Sequence, residues 1–259
     1  MRKKYFIFSA CMFLLFIMYM CGATSEPTKQ TTKLTVTGHR GAAGLSPENT
    51  LASIQKAIEL KVDRVEIDVH QTKDSVIVII HDNSINRTTN GKGKIKNLTY
   101  EELQQFNIED SLTIPTLKEA LKVIDKRAKL LIEIKEGNDY YPNIEKRILS
   151  IIKEYDAENW CIIQSFEDEI IEEIHTQNPN ITIHKLLLTG ALYDFDKLPY
   201  IEEYSVNYFF TTQKLVNKIH SLNKKINSWT VNTEDKIQLL KEMGVDGVIT
   251  DYPNLLVNE

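Results

Sequence analysis

The sequence predicts an α/β fold, a (β/α)8 TIM barrel with a β-hairpin and a small insertion after its second strand. Three observations predict it. From Leu34 onward, short runs rich in β-branched residues alternate with amphipathic helical patterns. Eight such runs recur, the number that closes a barrel of parallel strands. No Pro/Gly-rich break interrupts 34–259, so the stretch reads as one domain.

The elements follow in order. LTVTG (34–38) is the first strand, and NTLASIQKAIEL is its helix, with Leu51, Ile54, Ala57 and Ile58 on one face. DRVEIDV (63–69) is the second strand. VIVIIHD (76–82) follows after only QTKDS, too short for a right-handed helical crossover, and is predicted to fold back as an antiparallel partner. A turn at Lys73-Asp74 sets His81 opposite Glu66, and a turn at Asp74-Ser75 sets it opposite Asp68. Either register puts His81 on the face of both carboxylates. Residues 83–115 form the insertion, mostly polar, with a short helix around Tyr100 to Phe106. LKEALKVI and AKLLIEI, IEKRILSIIKEY and WCIIQS, then EDEIIEEIH and ITIHKLLL give the next helix–strand pairs. VNYFF, KLVNKIHSL, INSWTV, DKIQLLKEMG and DGVIT complete the count, with Thr189 to Tyr204 weakly patterned between them.

The N-terminus differs from this domain. Arg2-Lys3-Lys4 precedes the apolar run Tyr5 to Met20, the pattern of an export signal over 1–21. An uncleaved anchor is the alternative. Cys21-Gly22 resembles a lipoprotein attachment site, with cleavage after Ala23 as its rival. Polar residues 22–33 read as a linker. The chain is thus expected to be exported to the periplasm or cell envelope, with possible membrane anchoring through a lipid on Cys21. Without the signal, 28 basic residues face 36 acidic ones. No basic face suggests nucleic acid as a partner. The body retains one cysteine, Cys161 in a strand-like run, so no internal disulfide is expected.

Barrel chemistry sits at the C-terminal ends of the strands. His39 and Arg40 end the first strand. Glu66 and Asp68 lie two apart on the second, and Glu133 and Lys135 two apart on the third. Gln164-Ser165 ends the fourth, and the seventh brings Trp229 with Asn232. Alone, such carboxylate pairs are usually solvent-facing stripes. Inside a barrel neither face is open water, so three carboxylates with one lysine would carry a large desolvation cost. A cation among Glu66, Asp68 and Glu133 relieves it. All-oxygen ligands point to one divalent ion, Ca²⁺ or Mg²⁺, rather than zinc. Two histidines beside it, with Arg40 and Lys135, suit a phosphoryl group, one imidazole taking a proton and the other supplying one. NGKGK (90–94) lacks phosphate-loop spacing and reads as a turn. His70, His175, His184 and His220 are expected to be structural or surface residues, although His70 shares the parity of Asp68.

HRGAAGLSPENT, EIDVHQTKD, the HD of IIHDNSINRTTNGKG, EIKEG, QSF and GVDGVITDYP, in this order, resemble the glycerophosphodiester phosphodiesterase family. The resemblance runs from about Val36 to Pro253. It implies a small-molecule glycerophosphodiester substrate hydrolysed to sn-glycerol 3-phosphate and an alcohol, with Ca²⁺ or Mg²⁺. Matched by position, His39 and His81 are the acid/base pair, and Glu66, Asp68 and Glu133 are the metal ligands. Arg40 and Lys135 contact phosphate, and Trp229 is expected at the substrate. The resemblance also implies attack by the substrate's own hydroxyl, giving a cyclic phosphate that water opens. Ser75 stands where glycine is common. The glycines around His39-Arg40 are expected to let substrate approach the backbone, and Asn49 and Thr50 to start the first helix.

Two other readings compete. A lysophospholipase D or phospholipase C-like enzyme would use the same barrel but want an apolar mouth, which the polar insertion does not offer. A non-catalytic glycerophosphate-binding protein would be signalled by loss of a histidine or carboxylate, and all are present.

Overall fold

The computed structural model describes residues 33–109 and 111–256. Nine strands form one sheet: β1 (Thr35–Gly38), β2 (Arg64–Gln71), β3 (Ile77–Ile79), β4 (Lys129–Ile134), β5 (Cys161–Ser165), β6 (Thr182–Leu187), β7 (Glu203–Asn207), β8 (Lys225–Trp229) and β9 (Gly247–Thr250). Its order is β1-β9-β8-β7-β6-β5-β4-β2-β3, and β1 also pairs with β2. Eight parallel strands therefore close into a barrel, and β3 is the extra antiparallel strand, as expected. The helices are α1 (Leu51–Glu59), α2 (Tyr100–Leu103), α3 (Leu117–Ile124), α4 (Ile144–Glu154), α5 (Asp168–Gln177), α6 (Gln213–Ser221) and α7 (Glu234–Met243). Among the described residues none is long and apolar enough to cross a membrane. The expected export signal, Cys21 and the linker up to residue 32 lie outside the described residues.

Strand alternation sorts the core into two layers. Val65, Ile67 and Val69 of β2 belong to the large cluster shared with the helices. Leu131, Ile162 and Ile249 make a smaller cluster with Trp229 inside the barrel. Glu66, Asp68 and Glu133 share the parity of that inner set, so β2 and β4 carry them inward.

The hairpin register differs from both expected ones. Val69 pairs with Ile79, His70 with Val78 and Gln71 with Ile77. The loop has three residues, Lys73-Asp74-Ser75, with Ser75 at φ 68°. This odd loop flips the parity, so ladder pairing cannot place His81. Its position comes instead from the strand's early end. Ile80 still donates to Asp68 O at 3.0 Å, and the chain then bends away at His81. β3 has room because β1 pairs with β2 only at Arg64 and Val65. The upper edge of β2 is left for β3.

One other expectation is corrected, and two connections gain detail. β7 begins at Glu203, and Tyr208–Phe210 of the expected strand form a 3-10 turn. No helix joins β6 to β7; residues 188–202 cross as turns. The insertion is polar outside yet packs Ile85, Ile95, Leu103, Ile108 and Ile114 against Val78 and Ile80 of the hairpin.

Candidate active site

A cavity of about 200 Å³ opens at the C-terminal ends of the strands, lined by His39, Arg40, Glu66, His81, Glu133, Lys135, Gln164, Phe166, Leu186, Trp229, Thr230 and Ile249. Seven of the eight residues expected in the site face it. The eighth, Asp68, is buried beneath, within 4.8 Å of Glu66 and Glu133 through one oxygen of each.

The β1–α1 turn builds the first wall. Arg40 N donates to Glu66 Oε2 at 2.8 Å, and Gly41 N to Glu66 O at 3.0 Å. A side chain on Gly41, at φ 86°, would meet Ser53 Oγ at 1.9 Å. Gly41 is therefore required because the turn packs on α1, and approach of substrate is not the reason. Thr50 caps α1, accepting from Ser53 N at 3.1 Å. Asn49, expected to help start that helix, instead turns inward, donating to Asp68 Oδ2 at 2.8 Å and accepting from Asp68 N at 3.2 Å.

Both imidazoles are held the same way. His39 Nδ1 lies 2.6 Å from Asp251 Oδ1, and Asn232 Nδ2 donates to the other oxygen of that carboxylate at 2.6 Å. His81 Nδ1 lies 2.8 Å from Asp82 Oδ1. A carboxylate that accepts the Nδ1 proton fixes the tautomer in which Nε2 is the ring nitrogen without a proton. His70 is buried: its Nε2 donates to His81 O at 3.0 Å, and Tyr141 OH meets its Nδ1 at 3.0 Å. It braces the backbone of His81, a structural role in line with expectation.

The carboxylate cluster is incompletely compensated. Lys135 Nζ reaches Glu133 Oε1 at 2.6 Å and Asp68 Oδ1 at 3.0 Å, and Arg40 Nε lies 3.4 Å from Asp68 Oδ2. Burial alone would raise Asp68, but these two cations hold it well below the usual carboxylate range. Glu66 has no such partner. Burial first, then repulsion from Asp68 and Glu133, pushes its carboxyl well above the ordinary value. Burial likewise pushes Glu133 up to about 7. Glu66 Oε1 is buried without any hydrogen-bond partner among the described residues. An orphaned oxygen within a three-carboxylate cluster fits a hard divalent cation with oxygen ligands.

The opposite wall is apolar. Phe166 meets Trp229 edge-on at 5.6 Å, and Trp229 Nε1 donates to Ser205 O at 2.9 Å. Beyond them Leu188, Leu192, Phe209 and Phe210 are exposed on the loops after β6 and β7, Leu192 at 99% and Phe209 at 76%. The apolar mouth that the polar insertion does not supply lies across the barrel from the hairpin side.

Sequence reasoning missed the partners rather than the players. Asp251 and Asp82 stood in the quoted motifs GVDGVITDYP and HD without a role, and a carboxylate next to a histidine or a strand end was the available signal. Glu48 and Arg87, 39 positions apart, gave no comparable signal.

The sequence profile of the Glycerophosphoryl diester phosphodiesterase family matches residues 39–255. A glycerophosphodiester phosphodiesterase of Caldanaerobacter subterraneus is 36% identical over 87% of this chain and 97% of its own. Human lysophospholipase D GDPD1 is 25% identical over 84% of this chain and 83% of its own. A phosphodiesterase of Oleispira antarctica, solved in complex with the product sn-glycerol-3-phosphate, superposes with a TM-score of 0.81 at 27% identity, covering 87% of this chain and 97% of that one. With the barrel, the inward carboxylates and the paired imidazoles in place, a profile match over most of the chain and a relative at this identity show that the chain belongs to the glycerophosphodiester phosphodiesterase family of phosphoric diester hydrolases.

Proposed function

We propose that the chain hydrolyses glycerophosphodiesters to sn-glycerol 3-phosphate and an alcohol, with His39 and His81 as the proton-transfer pair. One observation carries this reading: two imidazoles, each fixed at Nδ1 by a carboxylate, line the cavity that Glu66, Glu133 and Lys135 also line. One imidazole takes the proton of the substrate's glycerol hydroxyl as its oxygen bonds to phosphorus. The other gives a proton to the alcohol oxygen as its bond to phosphorus breaks. Water then opens the cyclic phosphate, and the proton movements reverse to restore both histidines. Each transfer contributes about 10²–10⁴-fold. Arg40 and Lys135 bind the phosphoryl oxygens, and Trp229 packs on the substrate. Glu66, Asp68 and Glu133 would hold one divalent cation, Ca²⁺ or Mg²⁺, which supplies charge neutralisation at the phosphoryl group. The site is proposed to work outside the cytoplasm, in the periplasm or cell envelope, on the pattern of residues 1–21.

The test is release of glycerol 3-phosphate from glycerophosphocholine and glycerophosphoethanolamine by chelator-treated protein, before and after adding Ca²⁺ or Mg²⁺. Turnover restored by one cation supports reaction and metal together. A folded protein inactive on both with either cation overturns the reading.

The apolar loops favour a second substrate for the same chemistry. A lysophospholipid keeps the attacking glycerol hydroxyl and adds an acyl chain, which Phe166, Leu188 and Phe209 would cover. Kinship with a lysophospholipase D is in keeping with this. Choline release from lysophosphatidylcholine at a kcat/KM above that for glycerophosphocholine would make it the main reading; no release removes it.

A further inference from the structure

Arg87 belongs to the insertion, outside the cavity, yet its guanidinium makes four hydrogen bonds to two carboxylates. Nε and Nη2 donate to Asp82 Oδ2 at 2.9 Å and Oδ1 at 3.1 Å. Nη1 and Nη2 donate to Glu48 Oε2 at 2.9 Å and Oε1 at 2.8 Å. Each carboxylate holds one site residue in turn. Asp82 Oδ1 lies on His81 Nδ1 at 2.8 Å, and Glu48 Oε1 accepts from Arg40 Nη1 at 2.8 Å. A continuous chain of charge therefore runs His81–Asp82–Arg87–Glu48–Arg40, joining the hairpin end to the β1–α1 turn through one side chain.

Stability alone is a weak account of this arrangement. The Arg87 side chain is 47% exposed, and ion pairs at such exposure contribute little to folding. A guanidinium is the one side chain that can fork to two carboxylates in a fixed plane; an ammonium holds them only as a point charge. Arg87 is also presented firmly. Ile85, two residues before it, is fully buried in the insertion's own core, and its N–H donates to Gly93 O at 3.0 Å. Without Arg87, Asp82 and Glu48 lose the cation between them.

We propose that Arg87 is a positioning residue that sets His81 and Arg40 at once, through Asp82 and Glu48, so that the insertion fixes the distance between the proton-transfer group and the phosphate contact. This rests on the roles proposed above for His81 and Arg40. The two arms separate kinetically. The Asp82 arm acts on proton transfer and so on kcat; the Glu48 arm acts on phosphate binding and so on KM.

The test is steady-state kinetics with glycerophosphocholine for the full chain and its variants, with thermal melts as the control for folding. Asp82→Asn is expected to lower kcat about 10-fold with little change in KM, and Glu48→Gln to raise KM by a similar factor with little change in kcat. Arg87→Ala is expected to do both, reaching about 10²-fold in kcat/KM, the scale of misplacing a reacting group by about 1 Å. Arg87→Lys is expected to recover part of the loss, since it restores the charge but not the fork. In the Asp82→Asn, Glu48→Gln background, removing Arg87 should cost less than about 3-fold, because its effect runs through residues already changed. A folded Arg87→Ala protein with unaltered kcat and KM overturns the assignment, and so does a full Arg87→Ala effect that persists in the double background. A wild-type chain without turnover overturns the proposed function, and the assignment falls with it; active wild type with an indifferent Arg87→Ala overturns the assignment alone.

Discussion

The two ends of the barrel both bury charge and treat it in opposite ways. At the base, Arg64 forks onto both oxygens of Glu203, Asn227 donates to the same carboxylate, and His184 Nδ1 lies 3.2 Å from it. The Glu203 carboxylate has several partners and titrates below its ordinary value, since these contacts outweigh the effect of burial. At the mouth, Asp68 and Glu133 share Lys135, Arg40 lies beside Asp68, and Glu66 Oε1 has no hydrogen-bond partner among the described residues. Buried charge that is matched within the chain serves folding. Buried charge that is left short is the mark of a ligand site, because only something from outside completes it.

The widest break between the ends should appear in turnover. His39→Ala and His81→Ala are each expected to lower kcat by about 10²–10⁴-fold with melting temperature unchanged. A near wild-type rate in either would remove that histidine from the proton-transfer pair. The mirror-image change is at the base: Glu203→Gln leaves Arg64 buried beside a neutral amide, at a cost of about 3–5 kcal/mol. For a domain of this size that lowers the melting temperature by roughly 10 °C. A melt within a degree or two of wild type would show that the base pair contributes nothing.

Acid should also test the base. Burial holds His184 neutral down to about 4, against 6.5 when unfolded. Below pH 6.5 the unfolded chain gains a proton that the native state refuses until about 4. Stability is therefore full above pH 6.5 and falls through this window, by on the order of 3 kcal/mol. Buried His70, also held down to about 4, acts with the same sign. Urea midpoints should drop between pH 6.5 and 4.5, and less so in His184→Gln; equal losses would reassign the window.

At the mouth the sign of a carboxylate change should invert. Glu66→Gln removes a repelled charge, so the cation-free protein is expected to melt higher, by about 1 kcal/mol or 2–4 °C. Wild type should gain melting temperature when Ca²⁺ or Mg²⁺ is added, and the variant should gain little. A metal response that survives Glu66→Gln excludes it as a ligand. The smallest effect belongs to Leu192→Ser on the apolar rim. Stability should stay within about 0.5 kcal/mol, with a rise in KM for lysophosphatidylcholine as the one consequence of the acyl-chain reading.

Much of this contrast was legible in the sequence. Strand parity alone brought Glu66 with Asp68, and Glu133 with Lys135, and the barrel's C-terminal ends collected His39, Arg40 and Trp229. The hairpin was legible because five residues cannot make a crossover, but its register was not. Ser75 adopts a left-handed conformation that serine seldom takes, and the resulting three-residue loop shifts every pair by one. His81 reached the cavity by a bend, which no alternation rule describes. Which partner each of the carboxylates behind the site would meet was not legible, for another reason. Asp251 meets His39 across 212 positions and Glu48 meets Arg87 across 39, and such meetings depend on closure rather than on local pattern. The apolar rim was hidden because its members are single residues scattered over three loops.

The pairing of β1 with β9 has a consequence for the order of events during synthesis. Thr35 lies against Gly247, so the first strand waits for nearly the whole chain before it has a second neighbour. His39 acquires its Asp251 partner at the same seam. A nascent or truncated barrel can assemble β2 through β8 and still lack a correctly held imidazole. On the proton-transfer role proposed for His39, turnover would report completed closure and stay silent until the last strand has been made and docked.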